Sequence, residues 1–258
     1  MTQRQPLRRV AFRAPIAERE KVIALLLDLA PDGFEEDEHE GKAVFAVYTD
    51  DAGETELRQV FPDVATTVVE PGWEDGWREF HQPVRAGGLW IGPPWHEPPA
   101  DVPSVVVDPS RAFGTGAHST TRLCVDLLAR LDAHVSLVDV GCGSGVLSIA
   151  AARLGFSPVV AIDVDPVAIE ATLANAAANG VAVDAHVADA LSDPIPPADV
   201  AVANVLVAPV ASILARLSAT TAVTSGYLEG ERPAHPGWTP VTTATLDGWA
   251  ADLFVRSA

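Results

Sequence analysis

The sequence predicts an α/β protein with a doubly wound, mostly parallel sheet of seven strands, preceded by a small α+β domain. Three observations support this fold class. Apolar runs alternate with helical patterns from residue 104 onward, the order expected of repeated βα units. The run VSLVDV (135–140) is continuously apolar, as in a strand covered on both faces. The last two extended stretches flank Asp247-Gly248, a hairpin signal that predicts an antiparallel edge.

Residues 1–70 predict a separate α+β domain of the split βαβ type. LRRVAFRAP alternates and predicts a strand, and AEREKVIALLLDLAP has leucines at helical spacing. A turn at 31–33 and an acidic run follow. GKAVFAVYTD then predicts a second strand, alone or as one of a strand pair, TELRQVFP a short helix and DVATTVVE a last strand.

Residues 71–103 are dense in Gly, Pro and Trp, which predicts a connector with anchoring tryptophans rather than regular elements. A functional hinge is the alternative. The third segment, 104–258, contains the remaining βα units. Within it, VLSIAAARLG predicts a helix closed by Gly155, Asp165 and Pro166 predict a helix start, and Asn179-Gly180 predicts its end. Further strands are predicted in 158–164, 181–189, 199–206 and 221–228, and a further helix in 208–218.

Composition and charge exclude several function classes. A chain with 48% hydrophobic residues is not a disordered acidic tail. A net charge of −18 argues against nucleic-acid binding, which needs clustered Lys and Arg, but suits a basic protein partner. Cys124 and Cys142 are too few for a disulfide framework or a zinc site. No signal peptide or membrane-spanning run is visible, so a cytoplasmic location is expected.

The strongest local feature is VDVGCGSG (138–145), between a predicted strand and a helix. Its glycines let the backbone turn sharply and approach a ligand at the helix N-terminus. A dinucleotide site needs G-x-G-x-x-G, with a small residue where this chain has Val146. The form G-x-G-x-G is typical instead of S-adenosylmethionine-dependent methyltransferases. We therefore predict Asp139, Gly141 and Gly143 as cofactor residues, a purely structural turn being the alternative.

Three polar residues follow later strands of the predicted sheet. Asp163 ends the second strand, where a carboxylate can accept hydrogen bonds from both ribose hydroxyls. The alternative is that Asp163 caps the end of the strand. Asp189 follows the third strand and is predicted to contact the adenine amine, or else to stabilise a surface turn. Asn204 ends the fourth, at the sheet edge where ligands bind. Its amide is predicted to orient an amine or hold the cofactor, with a helix cap as the alternative.

A second motif, DPSRAFGTGAHSTTRLC (108–124), precedes a predicted helix. The hydroxyls of Thr120 and Thr121 can cap that helix or bind the cofactor carboxylate, since a helix N-terminus favours an anion. His118 is either a general base or, as a lone loop histidine more often is, a structural hydrogen-bonding group.

These segments together resemble the methyltransferase family that modifies the eleventh large-subunit ribosomal protein, a class I, Rossmann-like, S-adenosylmethionine-dependent family. The FGTG-x-H-x-TT segment points to this family, whereas the glycine and acidic motifs alone indicate only the class. The resemblance covers nearly the whole chain, with departures at Ala117 and Ser119. It implies that the threonine pair, Gly141, Asp163 and Asn204 contact the cofactor.

The resemblance also implies how such an enzyme works. A ferredoxin-like N-terminal domain would dock a basic ribosomal protein, and the linker would let the second domain reach its α-amine and several lysines. We expect Phe113 and the backbone near Asn204 to form the amine channel, without a metal or a dedicated nucleophile. No nucleic acid or membrane is expected as a partner, and the chain is expected to be a monomer. A relative acting on another protein lysine or a small-molecule amine is the alternative.

Overall fold

The computed structural model describes residues 7–30, 34–39, 41–69, 81–108, 116–132 and 135–257. The chain divides into two compact units, Met1–Phe80 and His81–Ala258. The predicted turn at 31–33, the first part of the connector (71–80) and Phe113 lie outside the described residues.

The first unit is a four-stranded antiparallel sheet with two helices. Its elements are β1 (Arg8–Pro15), a 3-10 turn (Ile16–Glu18), α1 (Arg19–Leu29), β2 (Phe34–His39), β3 (Lys42–Thr49), α2 (Asp51–Val60) and β4 (Ala65–Val68). The strand order β2-β3-β1-β4 confirms the predicted ferredoxin-like arrangement. Alternate residues of β1, Val10 and Phe12, pack with Phe45, Leu26 and Leu57 in one core.

The sequence left a single strand or a strand pair open after α1, and the structure has the pair, with the acidic run as the edge strand β2. Asp and Glu are poor strand formers, so the sequence pattern hid this strand. At an edge, however, charged side chains reach water and discourage pairing with other chains. Arg9 also donates to Glu35 from Nε and Nη2 at 3.1 and 2.7 Å, which holds the edge strand to β1 across β3.

The second unit contains the predicted seven-stranded sheet and a smaller three-stranded one. Its strands are β5 (Val84–Ala86), β6 (Leu89–Gly92), β7 (Ser104–Val106), β8 (Leu137–Val140), β9 (Val159–Asp163), β10 (Asp184–Val187), β11 (Val200–Asn204), β12 (Thr221–Leu228), β13 (Trp238–Leu246) and β14 (Trp249–Arg256). Its helices are α3 (Ser119–Leu128), α4 (Val146–Leu154), α5 (Pro166–Asn179) and α6 (Val207–Arg216).

The second half of the predicted connector is part of this unit. Strands β5, β6 and β7 form a sheet of their own, in which Leu89, Trp90 and Ile91 are buried. Asp126 of α3 accepts a hydrogen bond from the Gly87 N–H at 2.5 Å and so ties this sheet to the helix. The strands are only three or four residues long, too short for a periodic pattern to stand out among prolines and glycines.

The large sheet has the order β10-β9-β8-β11-β12-β14-β13. All neighbouring pairs from β10 to β12 are parallel, and β14 is antiparallel to both β12 and β13, which confirms the predicted antiparallel edge. The chain order reverses between β8 and β11. In open α/β sheets the carboxyl ends of the strands at such a reversal form the ligand-binding crevice.

Within the described ranges, the helices are all too short or too polar to span a lipid bilayer. This agrees with the hydropathy of the sequence, and the expected compartment stays a prediction.

Candidate functional site

The glycine loop, residues 141–145, connects β8 to α4 at the reversal point of the sheet. The Gly141 and Cys142 N–H groups donate to the carbonyl of Ile162 at 2.8 and 3.1 Å, which ties the loop to the end of β9. Gly141 has φ 75°, and a Cβ there would come within 2.6 Å of Val205 Cγ1. The loop therefore lies directly against the chain that leaves β11, and only glycine allows this approach.

Asp163, at the end of β9, supports the glycine loop from the other side. Its Oδ2 accepts the Gly143 N–H at 2.9 Å, and its Oδ1 accepts the Asp165 N–H at 3.0 Å. The side chain is half-buried. These two bonds form the strand-end cap that was the alternative to ribose binding. Each carboxylate oxygen can accept more than one hydrogen bond, so Asp163 can also accept hydrogen bonds from two ligand hydroxyls.

Asn204, at the end of β11, brings three of the predicted residues together. Its Nδ2 donates to Thr120 Oγ1 at 3.1 Å and to Thr121 Oγ1 at 3.4 Å. Both threonines are buried in the first turn of α3, where the His118 side chain caps the Thr120 N–H. With the amide in this orientation, Asn204 Oδ1 is the atom left to accept a hydrogen bond from a substrate.

The segment after Asn204 is held by a close backbone contact. The Val205 N–H donates to the Ser225 carbonyl at 3.1 Å, and the pairing of β12 with β14 is irregular between Ser225 and Tyr227. At Gly226, with φ 99°, a Cβ would overlap the carbonyl oxygen of Val205. The bulge thus lets β12 pass beside the end of β11 and fixes the position of Asn204.

Asp139 lies beneath the site instead of facing it. The carboxyl is fully buried in β8, and Ser148 donates to its Oδ2 at 2.6 Å. Burial raises the pKa of Asp139 to about 7, and the hydrogen bond from Ser148 opposes that rise. A side chain without exposed surface does not contact a ligand in this arrangement, so the structure favours a supporting role over the predicted direct contact.

Asp189 is close to Asp163, since the Ala188 N–H donates to the Asp163 carbonyl at 2.9 Å. Its carboxylate accepts hydrogen bonds from its own turn, from the Leu191 N–H at 2.8 Å and the Ser192 hydroxyl at 3.1 Å. These bonds match the surface-turn alternative. A contact with the adenine amine stays a prediction, as does the role of Phe113, which lies outside the described residues.

His118 caps helix α3 and packs against Trp249. Its Nδ1 accepts the Thr120 N–H at 3.4 Å and lies 2.8 Å from Thr120 Oγ1, and its ring meets Trp249 edge-on at 4.9 Å. Partial desolvation lowers the pKa of His118, while the nearby Asp247 charge opposes this shift.

Helix α5 carries a set of buried polar residues that was not predicted from the sequence. Thr172 donates to the Gly143 carbonyl at 3.0 Å, and Asn175 donates to the Ser144 carbonyl at 2.9 Å. They are spaced three residues apart on a helix that is otherwise rich in alanine. That spacing places them on one face, and it is the signal that would have found them.

The residues present fit an adenosyl cofactor. The glycine loop lies at the reversal point of the sheet, in a close approach to Val205 that only glycine allows at position 141. Asp163 offers acceptors for a ribose, and the α3 N-terminus, with its threonine hydroxyls, suits a carboxylate. All three lie at the carboxyl edge where the sheet order reverses.

The chain matches the family model described as ribosomal protein L11 methyltransferase (PrmA) over residues 16–234. It is 36% identical over 203 residues to the ribosomal protein L11 methyltransferase of Legionella pneumophila strain Philadelphia 1, covering 72% of this chain and 69% of that protein. It is 45% identical over 160 residues to the enzyme of the same name from Pseudomonas putida GB-1, covering 60% and 54%.

The fold is also similar to a solved structure. The crystal structure of a ribosomal protein L11 methylase from Lactobacillus delbrueckii subsp. bulgaricus superposes with a TM-score of 0.60 at 24% identity, covering 69% of this chain and all of that one. At this identity the likeness concerns the fold alone.

Proposed function

The chain belongs to the ribosomal protein L11 methyltransferase family, and from that premise we propose that it transfers methyl groups from S-adenosylmethionine to amines of ribosomal protein L11. Lysine ε-amines and the N-terminal α-amine are the proposed acceptors. The observation that carries the proposal is the meeting of Gly141, Asp163 and the Asn204–Thr120 pair at the sheet reversal.

We assign one part of the cofactor to each group. Asp163 holds the ribose hydroxyls, and the glycine loop lies along the adenosyl moiety. The N-terminus of α3, with Thr120 and Thr121, holds the carboxylate of the methionine portion. When bound, the cofactor supplies a methyl group on a positively charged sulfur, which is a good leaving group.

The remaining task is to present an amine with a free lone pair. Lysine has an ordinary pKa of about 10.4, so most of it is protonated at pH 7. A site that excludes water disfavours the charged form and lowers this pKa. Asn204 Oδ1 then accepts an N–H of the neutral amine and aligns its lone pair with the methyl carbon. As the nitrogen–carbon bond forms, the carbon–sulfur bond breaks, and the amine proton leaves to solvent. Positioning therefore accounts for most of the rate.

The first unit is the proposed docking domain for the protein substrate. Residues 1–80 contain 18 acidic and 9 basic side chains, so half of the net charge of −18 lies in less than a third of the chain. A basic ribosomal protein is attracted to such a surface. The monomeric state stays a prediction.

The test is methylation of purified ribosomal protein L11 by the full chain and S-adenosylmethionine, followed by mass spectrometry. We expect mass increases in multiples of one methyl group on L11. The Asp163→Ala variant, in the same assay, should give little product. Methylation of a small-molecule amine or a different protein, with L11 unmodified, would overturn the proposal.

A further inference from the structure

Helix α5 carries three buried polar side chains on one face: Thr172, Asn175 and Asn179. Thr172 has no exposed surface, and each asparagine is 7% exposed. Buried amides need hydrogen-bond partners, and a helix interior does not supply them. Each of these side chains instead bonds to the backbone of another segment of the second unit.

Asn175 bonds to two segments at once. Its Oδ1 accepts the Asp108 N–H at 3.2 Å, and its Nδ2 donates to the Ser144 carbonyl at 2.9 Å. Ser144 belongs to the glycine loop. Asp108 follows β7 and precedes the segment that leads to Thr120 and Thr121. One buried amide therefore joins the two stretches of chain that carry the proposed cofactor contacts.

The threonine motif also lies near the glycine loop at a second point, Gly116. At Gly116, a Cβ would lie 3.3 Å from Val146 Cγ2, at the first residue of α4. Asp108, at the start of the motif, therefore lies beside Asn175, and Gly116 lies beside the start of α4. Asn175 thus fixes the glycine loop relative to Asp108.

We propose that Asn175 is a positioning residue that sets cofactor affinity by fixing the glycine loop relative to the threonine motif, without touching the cofactor. The inference rests on the proposed function, because it needs an adenosyl ligand between these two segments. Removal of the Nδ2 donor leaves the Ser144 carbonyl buried and unpaired, and the loop then shifts to find another partner.

Asn179 provides a matched control. It is buried to the same extent, one turn further along the same face. Its Oδ1 accepts the Val106 N–H at 2.8 Å, and its Nδ2 donates to the carbonyls of Val106 and Asn175 at 2.6 and 2.8 Å. It therefore anchors β7 but has no bond to the glycine loop.

The experiment compares Asn175→Asp with Asn179→Asp in the full chain. Each change keeps the acceptor oxygen and replaces the buried donor with a second oxygen. We measure the dissociation constant for S-adenosylhomocysteine by calorimetry and the free energy of unfolding in urea. We expect Asn175→Asp to bind at least about tenfold more weakly, as the loss of one buried hydrogen bond predicts. Asn179→Asp should change affinity less than about threefold at a similar loss of stability.

Asn175→Ala and Asn179→Ala are measured alongside, because a buried carboxylate can prevent folding and alanine adds no charge. In the ligand-free variants, amide hydrogen exchange in residues 141–147 should be faster for Asn175→Ala only. Equal affinities and equal loop exchange in the two alanine variants would overturn the positioning role. If the unmodified chain does not bind S-adenosylhomocysteine, the proposed function itself fails, which is a separate outcome.

Discussion

Two regions of the seven-stranded sheet bury a carboxylate, and they treat it differently. On the hairpin side, Asp252 of β14 is fully buried but surrounded by donors. Arg232 donates to it from Nε at 3.1 Å and from Nη2 at 2.5 Å, Tyr227 donates at 3.0 Å, and Thr243 at 2.6 Å. Both oxygens have partners, one of them a cation.

At the carboxyl end of β8 the situation is reversed. Asp139 is equally buried, but among the described residues Ser148 alone donates a side-chain hydrogen bond to it, and its Oδ1 has no partner there. No cation among those residues pairs with Asp139. On the hairpin side, the buried carboxylate is fully hydrogen-bonded and stabilises the fold. Beneath the glycine loop, the buried carboxyl of Asp139 keeps one acceptor oxygen that the fold does not use.

The largest expected effect is the pH dependence caused by Asp139. Its folded pKa is raised to about 7 by burial, above an unfolded value of about 3.9. The folded state therefore binds the proton more tightly, and the stability that this carboxyl contributes is fully present below about pH 4 and is lost as pH rises to about 7. The fall amounts to at most about 4 kcal/mol.

Asp139→Asn should remove this fall. The measurement is the free energy of unfolding in urea at several pH values for both proteins. If the unfolding free energies of the two proteins changed with pH in parallel, the Asp139 carboxyl would ionise as easily as an exposed one. The proposed difference between Asp139 and Asp252 would then be wrong.

Arg232→Ala tests the hairpin side. It leaves Asp252 buried without its cation, and we expect a loss of about 3 kcal/mol or more in the free energy of unfolding. The affinity of the folded protein for S-adenosylhomocysteine should not change. Arg130→Ala, at an exposed position, is the control and should change stability by less than about 0.5 kcal/mol. Weaker cofactor binding by folded Arg232→Ala would contradict the division into scaffold and site.

Asp163→Ala should show the opposite behaviour. The loss of charged hydrogen bonds to two hydroxyls predicts about 2 kcal/mol weaker binding of S-adenosylhomocysteine, roughly thirtyfold. Asp165→Ala is the matched control, because Asp165 caps α5 through the Val167 N–H at 2.8 Å. That variant should lose about 1 kcal/mol of stability with little change in affinity. Unchanged affinity in Asp163→Ala would refute the ribose assignment.

The smallest effect is expected for His118→Ala. Because His118 caps α3 and packs on Trp249, its loss should lower kcat less than about tenfold, equivalent to 1.4 kcal/mol. Steady-state kinetics with L11 as substrate provides the measurement. Complete loss of activity in a folded variant would establish His118 as the general base.

The sequence predicted those parts of the site whose signal is contiguous. Gly141 and Gly143 lie in one motif, and Asp163 and Asn204 end strands whose apolar runs are unambiguous. Strand β2 was open only as one member of a possible strand pair, and the sheet β5–β7 was missed, because charge, proline and short length hide the strand pattern. The bonds of Asn175 were missed because they join residues 31 and 67 positions apart, and a single sequence does not show which segments meet.

The bulge at Gly226 limits how the enzyme can be redesigned. Main-chain atoms of two adjacent strands meet there, so truncating side chains would not enlarge that wall. An engineered variant for bulkier acceptors would have to gain its volume elsewhere, by trimming Asn204 itself or the first turn of α3. Space for bulkier substrates can therefore be gained only on the side of the crevice formed by Asn204 and the first turn of α3.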